Sequence, residues 1–232
     1  MFHSQPSTLI SRGRIYAILS GAFYYPDAER FPYLKTRLPA YLKLGVEGLP
    51  DDGRLQRAAE ELEKDLDRDL KVHSRVEWER EHARLFSLSA PVKCPPYETE
   101  YHVAHVFLKT QRLADVAGFY RAFGLDLKEK DRVDHISAET EFMSWLCLKE
   151  AYALETGQEE KAWTCKEARR KFLEDHLGTW IPAFSTALFA EAGFPFYRSL
   201  AGFLAGFIEH EVRVVKRETV LSCPVSEGGE RK

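Results

Sequence analysis

The chain has 232 residues, a formal net charge of −3 at pH 7, and 44% hydrophobic and 30% charged residues. This composition is typical of a globular protein that can bury one sizeable core. The small negative charge excludes a general attraction to nucleic acid or to an anionic membrane.

The four cysteines are far apart and form no C-x-x-C pair, which predicts reduced thiols in a cytosolic protein. Arg12 and Arg14 stand where the apolar region of a signal peptide would begin. No stretch approaches the roughly 20 apolar residues that a membrane span needs. We therefore expect a cytoplasmic protein without stable membrane association.

Apolar residues recur at helical spacing through the first third of the chain. They predict a first helix at about 8–23, a second at 31–44 and a third, strongly charged one over 55–70. Ser74 and Glu77 have the spacing of a capping box, so a fourth helix is predicted to begin there.

The fourth helix ends on Leu85 and Phe86, and a stiff Cys-Pro-Pro-Tyr step at 94–97 follows a short loop. Two adjacent prolines fix two φ angles and favour extended backbone before them. A stiff link sets the angle between helices, and it holds Tyr97 and Glu98 near the apolar end of the previous helix. By residue type, this arrangement predicts a groove for a peptide rather than a catalytic site.

Two helices are predicted next, at about 98–108 and 113–123. The polar segment 125–133 is the best candidate for an internal hinge. Asp134 has the residue type of an N-cap for a helix at about 135–154. That helix has two apolar stripes, so it is predicted to lie in the middle of a bundle.

Three more helices are predicted after Gly157. The first ends at Leu177, with Gly178 as its stop, and the second begins at an N-cap, Thr179. The last begins at Pro195. No segment shows sustained alternation of period two. The predicted fold class is therefore all-α, a single globular bundle of about nine or ten helices.

The helical domain is predicted to cover 1–222, with sub-halves at about 1–124 and 134–222. The tail at 223–232 has no pattern and is expected to be flexible.

Metal chemistry has little support. Glu79 and His82 form one E-x-x-H pair, but a di-iron centre needs a second pair and two more glutamates. His102 and His105 lie three residues apart near Cys94, but no C-x-x-C supports a zinc site. We predict no metal site and no cofactor.

The motifs of nucleophilic catalysis and of phosphate binding are absent from the sequence, and a cysteine before two prolines, Cys94, is better explained as a packed small residue than as a nucleophile.

Two clusters remain as candidate sites. The first is an aromatic and apolar cluster that consists of Trp78, His82, Leu85, Phe86, Pro96 and Tyr97. Such a stripe at helical spacing is usually core, but core packing and groove lining fit Leu85 and Phe86 about equally well. The second is Asp134 and His135 at a helix start, with Glu139 and Glu141 in the first turns. A helix cap and the helix dipole explain the acidic residues in part. They do not explain His135, because a protonatable ring is disfavoured near the positive end of a helix. Carboxylates can also bind an arginine guanidinium through two parallel hydrogen bonds, which suits a cationic peptide.

These residues resemble the TorD/DmsD/NarJ family of redox-enzyme maturation chaperones, and are most similar to the group that serves type II enzymes of the dimethyl sulfoxide reductase family. The matching runs are E-x-x-x-L-F at 81–86, CPPYE at 94–98 with Tyr101, ADVAGFY at 114–120, FGL at 123–125, DHISAE at 134–139 and EFM at 141–143. A weaker match continues at His176, Leu177, Trp180, Pro182 and Phe184. The resemblance covers about two thirds of the chain in the expected order.

The resemblance implies an all-helical cytoplasmic chaperone without catalytic activity. Such proteins bind the catalytic subunit of a molybdenum enzyme, often through its twin-arginine leader peptide, until the bis-molybdopterin guanine dinucleotide cofactor is inserted. Family members are monomers or exchange halves as dimers, and the segment before Asp134 is a plausible hinge for that exchange.

The leader-binding residues that the resemblance implies are His82, Leu85, Phe86, Pro96, Tyr97, Asp134 and His135. The residue types add Glu98 and Glu139 as further carboxylates. We expect Leu85, Phe86 and Tyr97 to hold the apolar run of the leader, while Asp134, Glu139 or Glu98 bind its arginines.

Three alternatives stay open. The first is a NarJ-like assembly factor for an enzyme that is not exported, which would not need the two arginines. The second is a helical metal-dependent enzyme that uses Glu79, His82, His102 and His105, and the third is a general helical scaffold. The identity and the substrate of the client enzyme cannot be read from the sequence.

Overall fold

The computed structural model describes residues 5–49, 53–87, 92–102, 106–125 and 132–222. The α-helices in these ranges are α1 (Pro6–Ala22), α2 (Phe31–Glu47), α3 (Gly53–Val72), α4 (Arg75–Phe86), α5 (Val106–Ala122), α6 (Ile136–Glu155), α7 (Glu159–Phe172), α8 (Gly178–Glu191) and α9 (Pro195–Ser222). A 3₁₀ turn covers Glu98–Glu100, and a π-helical turn, Leu173–Leu177, joins α7 to α8. The described residues contain no strand, which confirms the all-α prediction.

The number of separate helical segments is slightly lower than predicted, because α7 and α8 are continuous. Gly178 does not stop the helix, since its φ of −65° is helical. A Cβ at Gly178 would lie 2.7 Å from the carbonyl oxygen of Leu173, so the glycine is needed for the close approach of the π-helical turn. Thr179 is therefore not an N-cap; its hydroxyl donates to the carbonyl of His176 at 2.7 Å.

One hydrophobic core connects all nine helices through buried aliphatic and aromatic side chains. Helix α1 packs against α2 and α6, α6 also packs against α7, and α9 packs against α3 and α8. The central place predicted for α6 agrees with these contacts, although Leu148 and Tyr152 at the end of its second stripe are exposed.

Several helix ends follow from the local sequence as predicted. Ser74 and Glu77 form a complete capping box at the start of α4. Gly124 and Gly157 have positive φ angles at the ends of α5 and α6, where a residue with a Cβ would be strained. Pro195 is the first residue of α9.

Other predictions fall partly or wholly outside the described residues. The helix predicted at 98–108 is seen only as the Glu98–Glu100 turn and the first residues of α5, with 103–105 not described. Most of the predicted hinge, 126–131, and the tail at 223–232 are likewise outside. The division into two sub-halves stays a prediction. Within the described ranges, no helix is both long and apolar enough to cross a membrane.

Candidate functional site

The proline step and the segment before α6 lie side by side. The backbone N–H of Glu98 donates to the carbonyl of Asp134 at 3.0 Å, and that of Ile136 donates to the carbonyl of Pro96 at 3.0 Å. Tyr97 and His135 form an isolated antiparallel bridge between these bonds. The structure thus brings together two sequence motifs that are separated by nearly 40 residues, and we call this contact the junction.

The end of α4 is tied to the same place. The N–H of Cys94 donates to the carbonyl of Leu85 at 3.1 Å, so the proline step starts beside the last turn of α4. Cys94 itself is buried, and burial raises the pKa of its thiol to about 11. This cysteine is a packed core residue rather than a nucleophile.

His135, not Asp134, is the N-cap of α6. Its backbone is extended (φ −78°, ψ 137°), and its ring Nδ1 accepts a hydrogen bond from the N–H of Ser137 at 3.1 Å. The ring caps the helix through an unprotonated nitrogen, which removes the conflict between a charged imidazolium and the positive helix end. The prediction of an Asp134 cap is wrong because the Asp134 carboxylate binds other partners.

Asp134 is fully buried in a hydrogen-bond network. Its Oδ2 accepts from the backbone N–H and the hydroxyl of Thr99 at 3.2 and 2.8 Å. The guanidinium of Arg132 donates to both carboxylate oxygens, from Nε at 3.0 Å and from a terminal nitrogen at 2.9 Å. The same guanidinium lies over the ring of Tyr97, 3.9 Å from its centroid.

Glu98 is also fully buried and fully paired. It accepts from Arg112 at 2.6 Å and lies 3.0 Å from Nδ1 of His176 and 3.6 Å from Nε2 of His102. An open cleft of about 880 Å³ passes along the outer side of this cluster, with Thr99, His102 and Arg112 in its wall. Glu98 itself has no exposed surface and is separated from this cleft by partners such as Arg112.

Glu139 lies deepest of the three carboxylates. Its Oε2 accepts from the indole N–H of Trp180 at 3.1 Å, and its side chain has no exposed surface. Burial, with the nearby Glu98 carboxylate, raises the pKa of Glu139 well above its usual range. All three predicted carboxylates are thus inaccessible in this conformation, and a ligand would first have to displace their internal partners.

The aromatic cluster belongs mainly to the core. Leu85 has no exposed surface and Phe86 is 5% exposed, with its ring in edge contact with Phe23 and Tyr197. In this structure both side chains pack in the core. Pro96 is buried as well, whereas Tyr97 is partly exposed.

His82 is buried beside the junction. Its Nε2 is 3.2 Å from the carbonyl oxygen of Phe23, and its ring packs edge-on against Tyr25 and Phe86. Burial, together with the neighbouring His135, lowers the pKa of His82 to about 4. His82 is a neutral hydrogen-bond donor at neutral pH.

The residues of the metal-dependent-enzyme alternative do not come together as metal ligands in the described part of the chain. Glu79 pairs with Arg75, His82 bonds the Phe23 carbonyl, and His105 lies outside the described residues. No three histidine, cysteine or acidic side chains are grouped to hold a metal in the part of the chain that the structure describes.

Sequence reasoning missed Arg132, Thr99 and Tyr25. The first two complete the Asp134 network, and Tyr25 is an aromatic side chain, 43% exposed, next to His82. Arg132 and Asp134 lie in one turn directly before α6, in which the N–H of His135 donates to the carbonyl of Arg132 at 3.3 Å. Their closeness in the sequence is the signal that could have paired them.

Fold and site together define an all-helical protein whose polar site lies at a helix–loop junction. The family model described as nitrate reductase delta subunit matches residues 51–186, and the chain belongs to this family.

Curated relatives are assembly chaperones. The chain is 39% identical over 78 residues to the selenate reductase assembly chaperone protein of Thauera selenatis, covering 33% of this chain and 39% of that protein. It is 27% identical over 210 residues to the perchlorate reductase assembly chaperone protein of Dechloromonas aromatica, covering 86% of this chain and 88% of that protein. The chaperone protein TorD of Photobacterium profundum is 28% identical over 116 residues, which are 49% of this chain and 52% of that protein. The first relative is thus matched over less than half of its length.

A crystal structure from Archaeoglobus fulgidus, described as a redox enzyme maturation protein, has the same fold. The TM-score is 0.52 at 20% identity, with 90% of this chain and 97% of that chain covered. These comparisons agree with the predicted family and with the expectation of a chaperone rather than a catalyst.

Proposed function

We propose that this protein is a cytoplasmic assembly chaperone that holds the catalytic subunit of a molybdenum-containing reductase until its cofactor is inserted. The observation that carries the proposal is the alignment over 210 residues with a perchlorate reductase assembly chaperone. The selenate reductase relative and TorD have the same kind of role by name. The client is then a reductase subunit of the dimethyl sulfoxide reductase family.

The junction is the proposed binding site for a twin-arginine leader peptide. A leader offers two arginines followed by an apolar run. The carboxylate of Asp134 and the face of the Tyr97 ring suit an arginine, and the exposed ring of Tyr25 suits apolar side chains. The other residues that the resemblance implies would support the binding side chains from behind. They are His82, Leu85, Phe86, Pro96 and His135.

Glu98 and Glu139 retain only a supporting role in this proposal, because both are buried behind other residues. Glu98 pairs with Arg112 and Glu139 accepts from the indole of Trp180, so we expect neither to contact the leader directly.

The client is identified by purifying the tagged protein from its host and analysing the bound proteins by mass spectrometry. A large molybdenum-enzyme subunit that still carries its leader supports the proposal. Its absence from cells that express such enzymes would contradict it.

The site is tested by the affinity of a synthetic leader peptide. Tyr97→Ala and Asp134→Asn should each weaken binding by tenfold or more, about 1.4 kcal/mol. Asp65→Asn is a matched control, since Asp65 pairs with Arg68 on α3. Asp134 is buried, so circular dichroism must show that its variant is folded. Tyr97 is partly exposed, which keeps the test informative if Asp134→Asn unfolds. Unchanged affinity in both folded variants would refute the site.

A second candidate is an assembly factor for a reductase that is not exported, and the nitrate reductase delta subunit family match favours it. Such a factor binds its client without the two arginines. Replacing both arginines of the client by lysine would leave capture unchanged in this case, but would reduce it if the leader is the ligand.

A further inference from the structure

The network around Asp134 contains a complete binding site for a guanidinium group. We call it the guanidinium site and define it by Tyr97, Thr99, Glu100 and Asp134. The face of the Arg132 guanidinium lies on the Tyr97 ring, its edge donates two hydrogen bonds to Asp134, and a terminal nitrogen contacts the Thr99 hydroxyl at 2.9 Å. The third nitrogen is 3.6 Å from the Glu100 carboxylate.

The site does not depend on Arg132 for its shape. Asp134 is positioned by two hydrogen bonds from Thr99, and the two segments are joined by backbone bonds at Pro96 and Glu98. Removing the Arg132 side chain would leave these contacts in place. The carboxylate of Asp134 would then be left without its charged partner.

Arg132 also differs from the internal arginines of this protein. Its side chain is 35% exposed, whereas that of Arg169, paired with Glu150, is 1% exposed. An exposed side chain can rotate into solvent without opening the core. The guanidinium site can therefore exchange its occupant while the helices stay packed.

We propose that Arg132 occupies this site as an internal substitute for a ligand arginine, and that an arginine of the bound client displaces it. This inference rests on the proposed leader binding and specifies how one of the two arginines is recognised. Exchange of one guanidinium for another leaves the contacts to Tyr97, Thr99 and Asp134 unchanged, so binding then depends on the rest of the peptide. When the peptide leaves, Arg132 returns and prevents Asp134 from remaining buried without a charged partner.

An internal competitor lowers the apparent affinity by the fraction of molecules in which the site is free. Arg132→Gln should therefore bind a twin-arginine leader peptide about tenfold more tightly than the wild type, or about 1.4 kcal/mol. Arg132→Lys keeps the charge but loses the two-bond geometry, and should give a smaller gain. Arg68→Gln, which removes a partly exposed arginine–aspartate pair on α3, should leave the affinity unchanged.

The second measurement replaces both peptide arginines by lysine and compares the two peptides on the wild type and on Arg132→Gln. If the peptide arginine and Arg132 use one site, the gain from Arg132→Gln should be lost with the twin-lysine peptide. A folded Arg132→Gln protein that binds the twin-arginine peptide no more tightly than the wild type would overturn the inference. So would an equal gain with both peptides.

A small-molecule probe separates this inference from the proposed function. Arg132→Ala should bind N-acetyl-arginine amide saturably, with NMR shift changes at the Thr99 and His135 amides, and the wild type should bind it at least tenfold more weakly. N-acetyl-lysine amide is the matched control. Binding of the arginine amide by Arg132→Ala would support the site even if the wild type binds no leader peptide, in which case only the proposed function fails. Absence of that binding would overturn the inference while leaving chaperone activity intact.

Discussion

The buried His82 should make the stability of this protein depend steeply on pH. His82 is 8% exposed, its ring bonds the Phe23 carbonyl, and burial lowers its pKa from 6.5 to about 4. The unfolded chain therefore binds a proton at a higher pH than the folded protein. The resulting stability is fully present above pH 6.5 and is lost as the pH falls toward 4.

The magnitude follows from the two pKa values. Because one pKa unit corresponds to about 1.36 kcal/mol, the loss attributable to His82 is about 2 kcal/mol at pH 5 and about 3 kcal/mol at pH 4. His82→Gln keeps a hydrogen-bond donor for the Phe23 carbonyl but cannot titrate. We expect its free energy of unfolding to be lower than that of the wild type at pH 7, and the difference to shrink or reverse at pH 4.

The assay is urea denaturation of both proteins at pH 7, 5 and 4, monitored by circular dichroism. The comparison isolates His82, because every other titrating group is present in both proteins. A constant difference between the two unfolding free energies over this range would refute the reasoning. It would show that His82 is protonated in the folded protein near its ordinary pKa.

Two further predictions concern buried positions. Glu139→Gln should raise the urea midpoint at pH 7, because the raised pKa of Glu139 means that folding opposes its ionisation. This gain should shrink as the pH falls toward 4.5, and a lower midpoint at pH 7 would contradict it. Gly178→Ala should lower the free energy of unfolding by about 1–3 kcal/mol, since the new Cβ would meet the Leu173 carbonyl. Gly202→Ala, with open space around it in α9, is the control and should cost nothing; equal thermal melting of both variants would rule out the close contact.

The sequence predicted the helices well where local signals decide them. Helical periodicity, the capping box at Ser74 and the glycines at 124 and 157 all act within a few residues. The prediction was wrong at Gly178, because a glycine that ends a helix and a glycine required by close backbone packing look the same in a sequence. Only the three-dimensional path of the π-helical turn distinguishes them.

The candidate site was predicted in its parts but not in its burial. The residues that carry the family resemblance do meet, yet Asp134, Glu98 and Glu139 are each paired inside the protein. Arg112 and Trp180 come from segments that are distant in the sequence from Glu98 and Glu139, and no spacing rule joins these pairs. Charged pairs such as Arg12 with Glu211, both fully buried, were missed for the same reason.

This burial determines which residues can report on binding. A change at Phe86 or Leu85 removes core packing at a cost of about 2–5 kcal/mol, so lost binding there cannot be separated from lost stability. Tyr97 and Arg132 touch the same carboxylate network from the solvent side and are only partly buried. Variants at these two positions change what a ligand meets while leaving the core intact. They also have opposite expected effects, because Tyr97 attracts an arginine and Arg132 competes with it. A chaperone that binds through this junction should weaken with one change and strengthen with the other, a pattern that general destabilisation cannot produce.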